Sequence, residues 1–259
     1  MKIRKLLTIC LLFVLPLTVT AQVEFEKQNF NNDGNSLPYR LLKPKNFEAG
    51  KKYPLMLFLH GAGERGSDNE KQLVHGGNLF LNAIESDQYP SLMIFPQCPT
   101  DDYWANADIK RSEGKIDIKF KNGGEPTKAL EAVLALLDSM VQLPFIDKNR
   151  IYVGGLSMGG MGTFELCYRR PDLFAAAFPI CGGGHPEMVK LYANKFPLWI
   201  FHGEEDNVVS AEFSKEMVKA LEAEGAKPRF SLYPGVNHNS WDNAFAEPDF
   251  LQWIFSQSK

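Results

Sequence analysis

The sequence predicts an α/β fold in which helices cover both faces of a mostly parallel β-sheet. Short apolar runs alternate with helical patterns along the chain, and most of these runs are apolar on both faces. Strands buried between two layers of helices have this pattern, whereas half-exposed strands alternate apolar and polar residues. No Pro-, Gly- or Ser-rich linker and no repeat divides the chain, so we predict one domain over residues 22–259.

The strand candidates fall into two groups. Val23–Phe25 and Pro38–Leu42 flank a turn-rich segment at Asn31–Asn35. The mainly apolar runs follow at Pro54–Leu59, Leu92–Phe95, Arg150–Val153, Ala175–Ile180, Leu198–Phe201 and Arg229–Tyr233. Because the last run mixes polar and apolar residues, we expect it nearer an edge of the sheet.

Helical patterns lie between these runs, and most have a recognisable start or stop signal. The predicted helices are Thr127–Val141, Met158–Arg169, Ser210–Ala223 and Pro248–Ser256. The long polar stretch Gln97–Lys128 is predicted as a flap or small hairpin, with a strand at Ile116–Phe120 and then a turn at Asn122-Gly123-Gly124. Disorder is the alternative for this stretch.

Residues 1–21 have the pattern of a secretory signal peptide. Lys2, Arg4 and Lys5 precede an almost wholly apolar run over Leu6–Val19, and small residues up to Ala21 suit cleavage. A buried N-terminal helix is the alternative, and the run is short for a membrane span. We therefore predict a secreted or periplasmic protein without a stable membrane anchor.

The composition argues against several classes of protein. With 23% charged and 44% hydrophobic residues, the chain is not disordered, and a net charge of -3 gives no support to a nucleic-acid partner. No metal-binding spacing and no dinucleotide fingerprint occurs, so neither a metal nor a cofactor is predicted. Cys98, Cys167 and Cys181 follow the predicted signal peptide, and an odd number allows at most one internal disulfide bond.

A glycine-flanked serine is the strongest chemical signal. Gly155-Leu156-Ser157-Met158-Gly159 fits the pattern G-x-S-x-G, with a predicted strand before it and a predicted helix after it. Such a turn lifts the serine hydroxyl above the sheet edge, and the helix N-terminus points its amides at developing negative charge. An ordinary glycine-rich turn is the alternative. We predict that Ser157 is a nucleophile.

A serine nucleophile needs a base and a residue that orients the base. Asp206 and His238 each lie just beyond a predicted strand, in the chain order that follows this type of serine turn. Parallel sheets place their ligands at these strand ends. Glu204, Glu205 and Asp242 are the alternatives for the acid.

Donors for an oxyanion are predicted next to the serine. Strand Pro54–Leu59 leads into the loop His60–Gly66, and a backbone amide from Ala62 together with that of Met158 would form an oxyanion hole. A purely structural turn is the alternative. We expect His60 and, beyond the strand at Leu198–Phe201, His202 to shape their loops by hydrogen bonding.

Several neighbouring residues are candidates for substrate contact. Gln97, Trp104 and Trp241 lie close to the predicted site in the sequence, although filling the core is the commoner role of aromatic side chains. Cys181 is expected near the site as a buried thiol. His75 is expected at the surface or in packing.

Glu64 and Arg65, in the loop His60–Gly66, are expected to pair with each other or with the flap.

With these motifs, the sequence resembles the α/β-hydrolase superfamily over nearly its whole length after residue 21. The segments His60–Gly66, Phe95–Pro99 and Gly155–Gly160 resemble a bacterial group. That group includes secreted phospholipase/carboxylesterase-like, polyhydroxybutyrate-depolymerase-like and feruloyl-esterase-like enzymes, and predicted peptidases. The resemblance implies an eight-stranded sheet with an antiparallel second strand, and a Ser-Asp-His triad with an oxyanion hole at the residues named above.

The expected function is that of a secreted serine esterase whose substrate carries acyl or feruloyl groups on a polysaccharide or a similar extracellular ester. Only residues 181–197 separate two consecutive predicted strands, so no large helical lid is expected there. The alternatives are a peptidase or amidase with the same triad, a phospholipase/carboxylesterase-type enzyme for small esters, and a non-catalytic binding protein. No propeller or other extra domain is expected before the predicted core, unlike in the oligopeptidases. A peptidase function is therefore less favoured than an esterase function.

Overall fold

The computed structural model describes residues 24–32, 35–112 and 115–259, and the predicted signal peptide lies outside the described residues. The strands are β1 (Phe25–Asn32), β2 (Asn35–Leu42), β3 (Tyr53–Leu59), β4 (Leu92–Pro96), β5 (Ala107–Ser112), β6 (Lys115–Phe120), β7 (Ile146–Leu156), β8 (Ala176–Ile180), β9 (Trp199–Gly203) and β10 (Arg229–Tyr233). The helices are α1 (Gly77–Glu85), α2 (Lys128–Val141), α3 (Met158–Arg169), α4 (Ala211–Ala223), α5 (Trp241–Phe245) and α6 (Phe250–Ser256).

Eight of the described strands form one sheet in the order β1-β2-β4-β3-β7-β8-β9-β10. Strand β2 is antiparallel to both of its neighbours, β1 and β4. All the remaining neighbouring strands in the sheet, from β4 to β10 in this order, pair in parallel. This confirms the mostly parallel sheet with an antiparallel second strand. Strand β10 lies at the edge, as its mixed composition predicts.

Strand β3 explains why the central strands have no polar face. Leu55, Leu57 and Leu59 pack in one core cluster with side chains of α2, α3 and α4. Met56 and Phe58 point the other way, into a second cluster with side chains of α1 and α6. Every residue of β3 is buried, because helices cover both faces of the sheet.

Local signals set the helix ends where the sequence places them. The Thr127 side chain accepts a hydrogen bond from the Leu130 N–H and caps α2, and Ser210 caps α4 in the same way. Helix α6 begins two residues later than predicted, because Asp249 lies outside the helix and binds Arg229.

The predicted flap contains a two-stranded hairpin, but its strand pairing differs from the prediction. The partner of β6 is β5, a strand that the sequence reading missed, and the predicted turn at Asn122-Gly123-Gly124 follows β6 instead of joining the two strands. That turn is held by Asn106, whose amide donates hydrogen bonds to the carbonyls of Gly123 and Glu125.

Several other expectations also change. Strands β1 and β2 are longer than predicted, since they pair from Phe25 with Leu42 to Asn32 with Asn35, and Asp33 and Gly34 of the predicted turn lie outside the described residues. Helix α1, which follows Gly76 and begins at Gly77, was not predicted. Cys98, Cys167 and Cys181 are all buried and free, so they form no disulfide bond with one another. In the described part of the chain, no helix has the length and apolar character of a membrane span.

Candidate active site

Ser157 lies in a tight turn between the end of β7 and the start of α3. Its φ of 54° is unusual for a residue other than glycine and marks local backbone strain. A Cβ on Gly159 would lie 1.9 Å from the carbonyl oxygen of Leu59, and one on Gly155 would lie 2.6 Å from the same oxygen. These glycines therefore let α3 approach β3, and the turn presents the serine at the carboxyl edge of the sheet.

A continuous hydrogen-bond chain joins the three residues predicted from sequence. The Ser157 Oγ lies 2.9 Å from Nε2 of His238, and Nδ1 of His238 lies 2.7 Å from Oδ2 of Asp206. The Asp206 side chain is completely shielded from solvent, whereas 19% of the His238 side chain is exposed. This geometry allows a proton to pass between the hydroxyl and the imidazole while the carboxylate orients the ring.

The structure also distinguishes Asp206 from the other candidate acids. Glu204, Glu205 and Asp242 are exposed. The carboxylate of Asp242 accepts a hydrogen bond from the Asn239 amide instead.

Backbone and side-chain donors stabilise the charged form of Asp206. Its Oδ1 accepts hydrogen bonds from the N–H groups of Val208 and Val209, each at 2.9 Å. Burial by itself raises the pKa of this carboxyl group, but the hydrogen bonds from His202, His238 and the backbone outweigh it. The pKa of Asp206 is therefore held well below its usual range.

Two residues that support the site were not assigned this role from the sequence. His202 is fully buried, and its Nε2 lies 3.3 Å from Oδ2 of Asp206 and 2.9 Å from the Val209 carbonyl oxygen. The Asn237 side chain accepts hydrogen bonds from the N–H groups of Asn207 and His238, which joins the acid loop to the histidine loop. Asn237 directly precedes His238, and this adjacency was the available signal.

Both predicted oxyanion donors lie beside the serine. Met158 is the first residue of α3, so its N–H has no carbonyl partner within the helix. Ala62 begins a short 3-10 helix directly after Gly61, and a Cβ on Gly61 would lie 3.6 Å from the Ser157 Cβ. The loop backbone therefore lies against the serine side chain.

His60 shapes this loop through hydrogen bonds, in agreement with its expected role. Its Nε2 accepts a hydrogen bond from the Cys98 N–H, so Nδ1 carries the proton and donates to the Gly61 carbonyl oxygen. Burial lowers the pKa of His60 to about 4, which keeps the ring neutral at neutral pH.

Two of the three candidates for substrate contact are buried beneath the site. Gln97 is fully buried, and its amide hydrogen-bonds with Asp68 and with the backbone of the loop that follows β3. Trp104 is also fully buried, and its Nε1–H donates to the His60 carbonyl oxygen. These side chains support the loop and do not face the substrate space, because the protein covers them completely.

Trp241, the third candidate, does lie at the site. Its ring packs edge-on against the His238 ring, with 5.5 Å between the ring centres. The ring of His75 packs on the indole at 4.8 Å, and the Nε2 of His75 lies 3.7 Å from Oε1 of Glu64. His75 therefore packs beside the candidate active site, which nothing in the sequence around it indicated.

Arg65 makes the contact with the flap that the sequence allowed. Its guanidinium donates hydrogen bonds to the carbonyl oxygens of Ala62 and Asp102 and lies over the ring of Tyr103. Glu64 faces His75 rather than its neighbour in the chain.

Cys181 lies next to this hydrogen-bond chain, as its place at the end of β8 predicts. Its Sγ and the facing atoms of Asp206 and His238 lie within 4.8 Å of one another. Burial raises the pKa of the Cys181 thiol well above its usual value, so the group stays protonated.

Comparison with known proteins identifies the family. Residues 47–252, which are most of the chain, match the phospholipase/carboxylesterase family. The chain belongs to the phospholipase/carboxylesterase family. It is thus a carboxylesterase-type α/β hydrolase, a serine carboxylic-ester hydrolase.

Individual relatives agree with this assignment. Lysophospholipase-like protein 1 of Mus musculus is 28% identical over 200 residues, 73% of this chain and 81% of that protein. A solved thermostable esterase is 37% identical with a TM-score of 0.80, over 91% of this chain and 63% of that one. An endo-1,4-beta-xylanase/feruloyl esterase of Xylanibacter ruminicola is 27% identical over 78% of this chain, which spans only 25% of that protein.

Proposed function

We propose that the protein is an exported serine esterase whose catalytic triad is Ser157, His238 and Asp206. The observation that carries this proposal is the hydrogen-bond chain from the serine hydroxyl through the imidazole to the shielded carboxylate. The strained turn at Ser157 adds support, since it places the hydroxyl at the sheet edge with the N-terminus of α3 behind it.

In the first half of the reaction, Ser157 attacks the ester carbonyl carbon. His238 Nε2 takes the hydroxyl proton as the new bond between the serine oxygen and the carbonyl carbon forms. The negative charge on the former carbonyl oxygen is then stabilised by the N–H groups of Ala62 and Met158. His238 returns the proton to the leaving alkoxide, and an acyl-enzyme remains.

In the second half, water replaces the alcohol. His238 accepts a proton from the water as it attacks the acyl carbon, and then returns the proton to the Ser157 oxygen as the acid leaves. The Asp206 carboxylate remains ionised throughout, because its hydrogen bonds hold its pKa well below the usual range. Its charge stabilises the imidazolium that forms in each half.

The proposed substrate is an acyl or feruloyl ester of a polysaccharide, outside the cell or in the periplasm. The signal-peptide pattern of residues 1–21 supports export, and similarity to a protein named as a xylanase and feruloyl esterase supports a plant-polysaccharide ester. A small-ester or lysophospholipid substrate is the second candidate, which is favoured by the family match and by the mouse relative.

The test is hydrolysis of p-nitrophenyl acetate by residues 22–259 beside the Ser157→Ala variant. We expect turnover by the wild type and background rates for the variant, with equal melting temperatures. Equal activity of the two proteins would exclude Ser157 as the nucleophile. A folded but inactive wild type would exclude the simple esterase function.

A further inference from the structure

Three side chains outside the proposed triad line one side of the site. They are Glu64, His75 and Trp241, here called the leaving-group wall. They form a continuous series, because Trp241 packs on the His238 ring at 5.5 Å, His75 packs on Trp241 at 4.8 Å, and His75 Nε2 faces Glu64 at 3.7 Å.

The position of His238 defines which half of the substrate this wall faces. In acyl transfer, the imidazole that takes the serine proton gives it to the departing alkoxide. The alkoxide must therefore lie against Nε2 of His238, which also bonds Ser157. Since Trp241 packs directly on this imidazole, the leaving-group wall faces the alcohol half of the ester and not the acyl half.

Glu64 brings a carboxylate close to the reacting atoms. A Cβ on Gly61 would lie 2.9 Å from Glu64 Oε2 and 3.6 Å from the Ser157 Cβ, so the carboxylate reaches the space beside the serine. Its side chain is 14% exposed. Within the described residues, the hydrogen bonds made by Glu64 use its backbone only, to Gly61 and Gln97. Its carboxylate oxygens can therefore accept hydrogen bonds from a ligand.

We propose that the leaving-group wall is a subsite for a neutral alcohol with several hydroxyl groups, such as a sugar ring. The half-buried indole of Trp241 offers an apolar ring against which a sugar can pack, and the Glu64 carboxylate accepts hydrogen bonds from sugar hydroxyls. The same negative charge repels a phosphate on the alcohol. Within the described residues, Arg65 forms no ion pair with Glu64, because its guanidinium is directed to the Ala62 and Asp102 carbonyls.

This inference rests on the proposed function and makes it more specific, because it favours sugar esters over lysophospholipids. The test compares the wild type with Glu64→Gln, which removes the charge and keeps the shape. One substrate pair is methyl glucoside acetylated on its primary hydroxyl and cyclohexylmethyl acetate, which share the acyl group and the ring size. A second pair is monoacetylglycerol and its phosphate.

Glu64→Gln is expected to lower the preference for the sugar ester over cyclohexylmethyl acetate about tenfold, mainly through KM. The reason is that hydrogen bonds to a charged acceptor are about twice as strong as neutral ones. The preference for monoacetylglycerol over its phosphate is expected to fall about threefold as repulsion disappears. Glu64→Asp, which keeps the charge but shortens the reach, is expected to preserve the second preference and weaken the first.

Two results would overturn the inference. In the first, each preference changes less than twofold. In the second, Glu64→Gln lowers all four rates equally, which would make Glu64 a support of the oxyanion loop. Glu70→Gln is the matched control, since Glu70 is an exposed carboxylate of a neighbouring loop that pairs with Lys27.

A binding measurement separates this inference from the proposed function. Saturation-transfer NMR is expected to detect methyl glucoside bound to Ser157→Ala, and Glu64→Gln in that background is expected to weaken this binding about tenfold. Unchanged binding in the double variant contradicts the subsite even if the enzyme is an esterase. Weakened binding supports the subsite even if no ester is hydrolysed.

Discussion

Replacing Asp206 with Asn perturbs the orientation of His238 in a way that the structure specifies. In the wild type, Oδ1 accepts hydrogen bonds from the N–H groups of Val208 and Val209, and Oδ2 faces His238 Nδ1 at 2.7 Å. In the variant, the amide oxygen must take the position of Oδ1, because an NH2 group there would face two N–H donors. The NH2 group is then placed against His238 Nδ1.

The consequence is the wrong tautomer of His238. Nδ1 must accept a hydrogen bond from the new amide, so the proton moves to Nε2, which faces Ser157 Oγ at 2.9 Å. A protonated Nε2 cannot take the serine proton. In a serine protease with the same arrangement, the corresponding change lowers kcat about 10⁴-fold. That loss equals about 5 kcal/mol of transition-state stabilisation, and we expect a loss of this size here.

The assay is kcat/KM for p-nitrophenyl acetate at neutral pH, with the melting temperature measured for each protein. Asp242→Asn is the matched control, since Asp242 is an exposed acid near His238 in the chain and its carboxylate accepts a hydrogen bond from the Asn239 amide. We expect this control to keep its activity within about twofold. A loss of less than about tenfold in a folded Asp206→Asn variant would refute the assignment of Asp206 as the orienting acid.

Three further predictions concern the supports of the site. His60→Ala leaves the buried Cys98 N–H without a partner, removes one of the hydrogen bonds to the Gly61 carbonyl and opens a cavity, so it is expected to reduce the free energy of unfolding by about 3 kcal/mol in urea titration; unchanged stability would contradict this. Gly159→Ala places a methyl group 1.9 Å from the Leu59 carbonyl oxygen, so we expect little soluble protein. A stable, active variant would contradict this, since the backbone at the end of β3 would then have to move aside. Ellman's reagent is expected to label Cys98, Cys167 and Cys181 only after unfolding, and labelling of the native protein would contradict their burial.

The sequence predicts the sheet well because burial on both faces leaves a direct signal. Strand Pro54–Leu59 is apolar throughout, and the structure extends it by one residue only. The hairpin was harder, since its first strand, Ala107–Ser112, is half charged, with Lys110 and Arg111 adjacent, and does not enter the main sheet. Helix α1 was missed because two glycines precede or open it, and glycine favours turns over helices.

The candidate site was predictable where a turn motif fixes the backbone. The spacing of Gly155, Ser157 and Gly159 implies a close approach of helix and strand, and the structure has that approach. Side-chain direction was not predictable in this way. Gln97 and Trp104 follow strand ends near the site, yet both point into the protein, because the loop after β3 needs hydrogen-bond partners beneath it. His75 reaches the site through contacts between distant segments.

The most direct test of the central claim is covalent labelling with a fluorophosphonate, followed by intact-mass measurement and peptide mapping. Phosphonates react with a serine only where a base activates it and an oxyanion hole receives the charge. We predict one adduct per chain, located on Ser157, and none on Ser157→Ala. An adduct on another residue, or equal labelling of the variant, would contradict the assignment of Ser157 as the nucleophile.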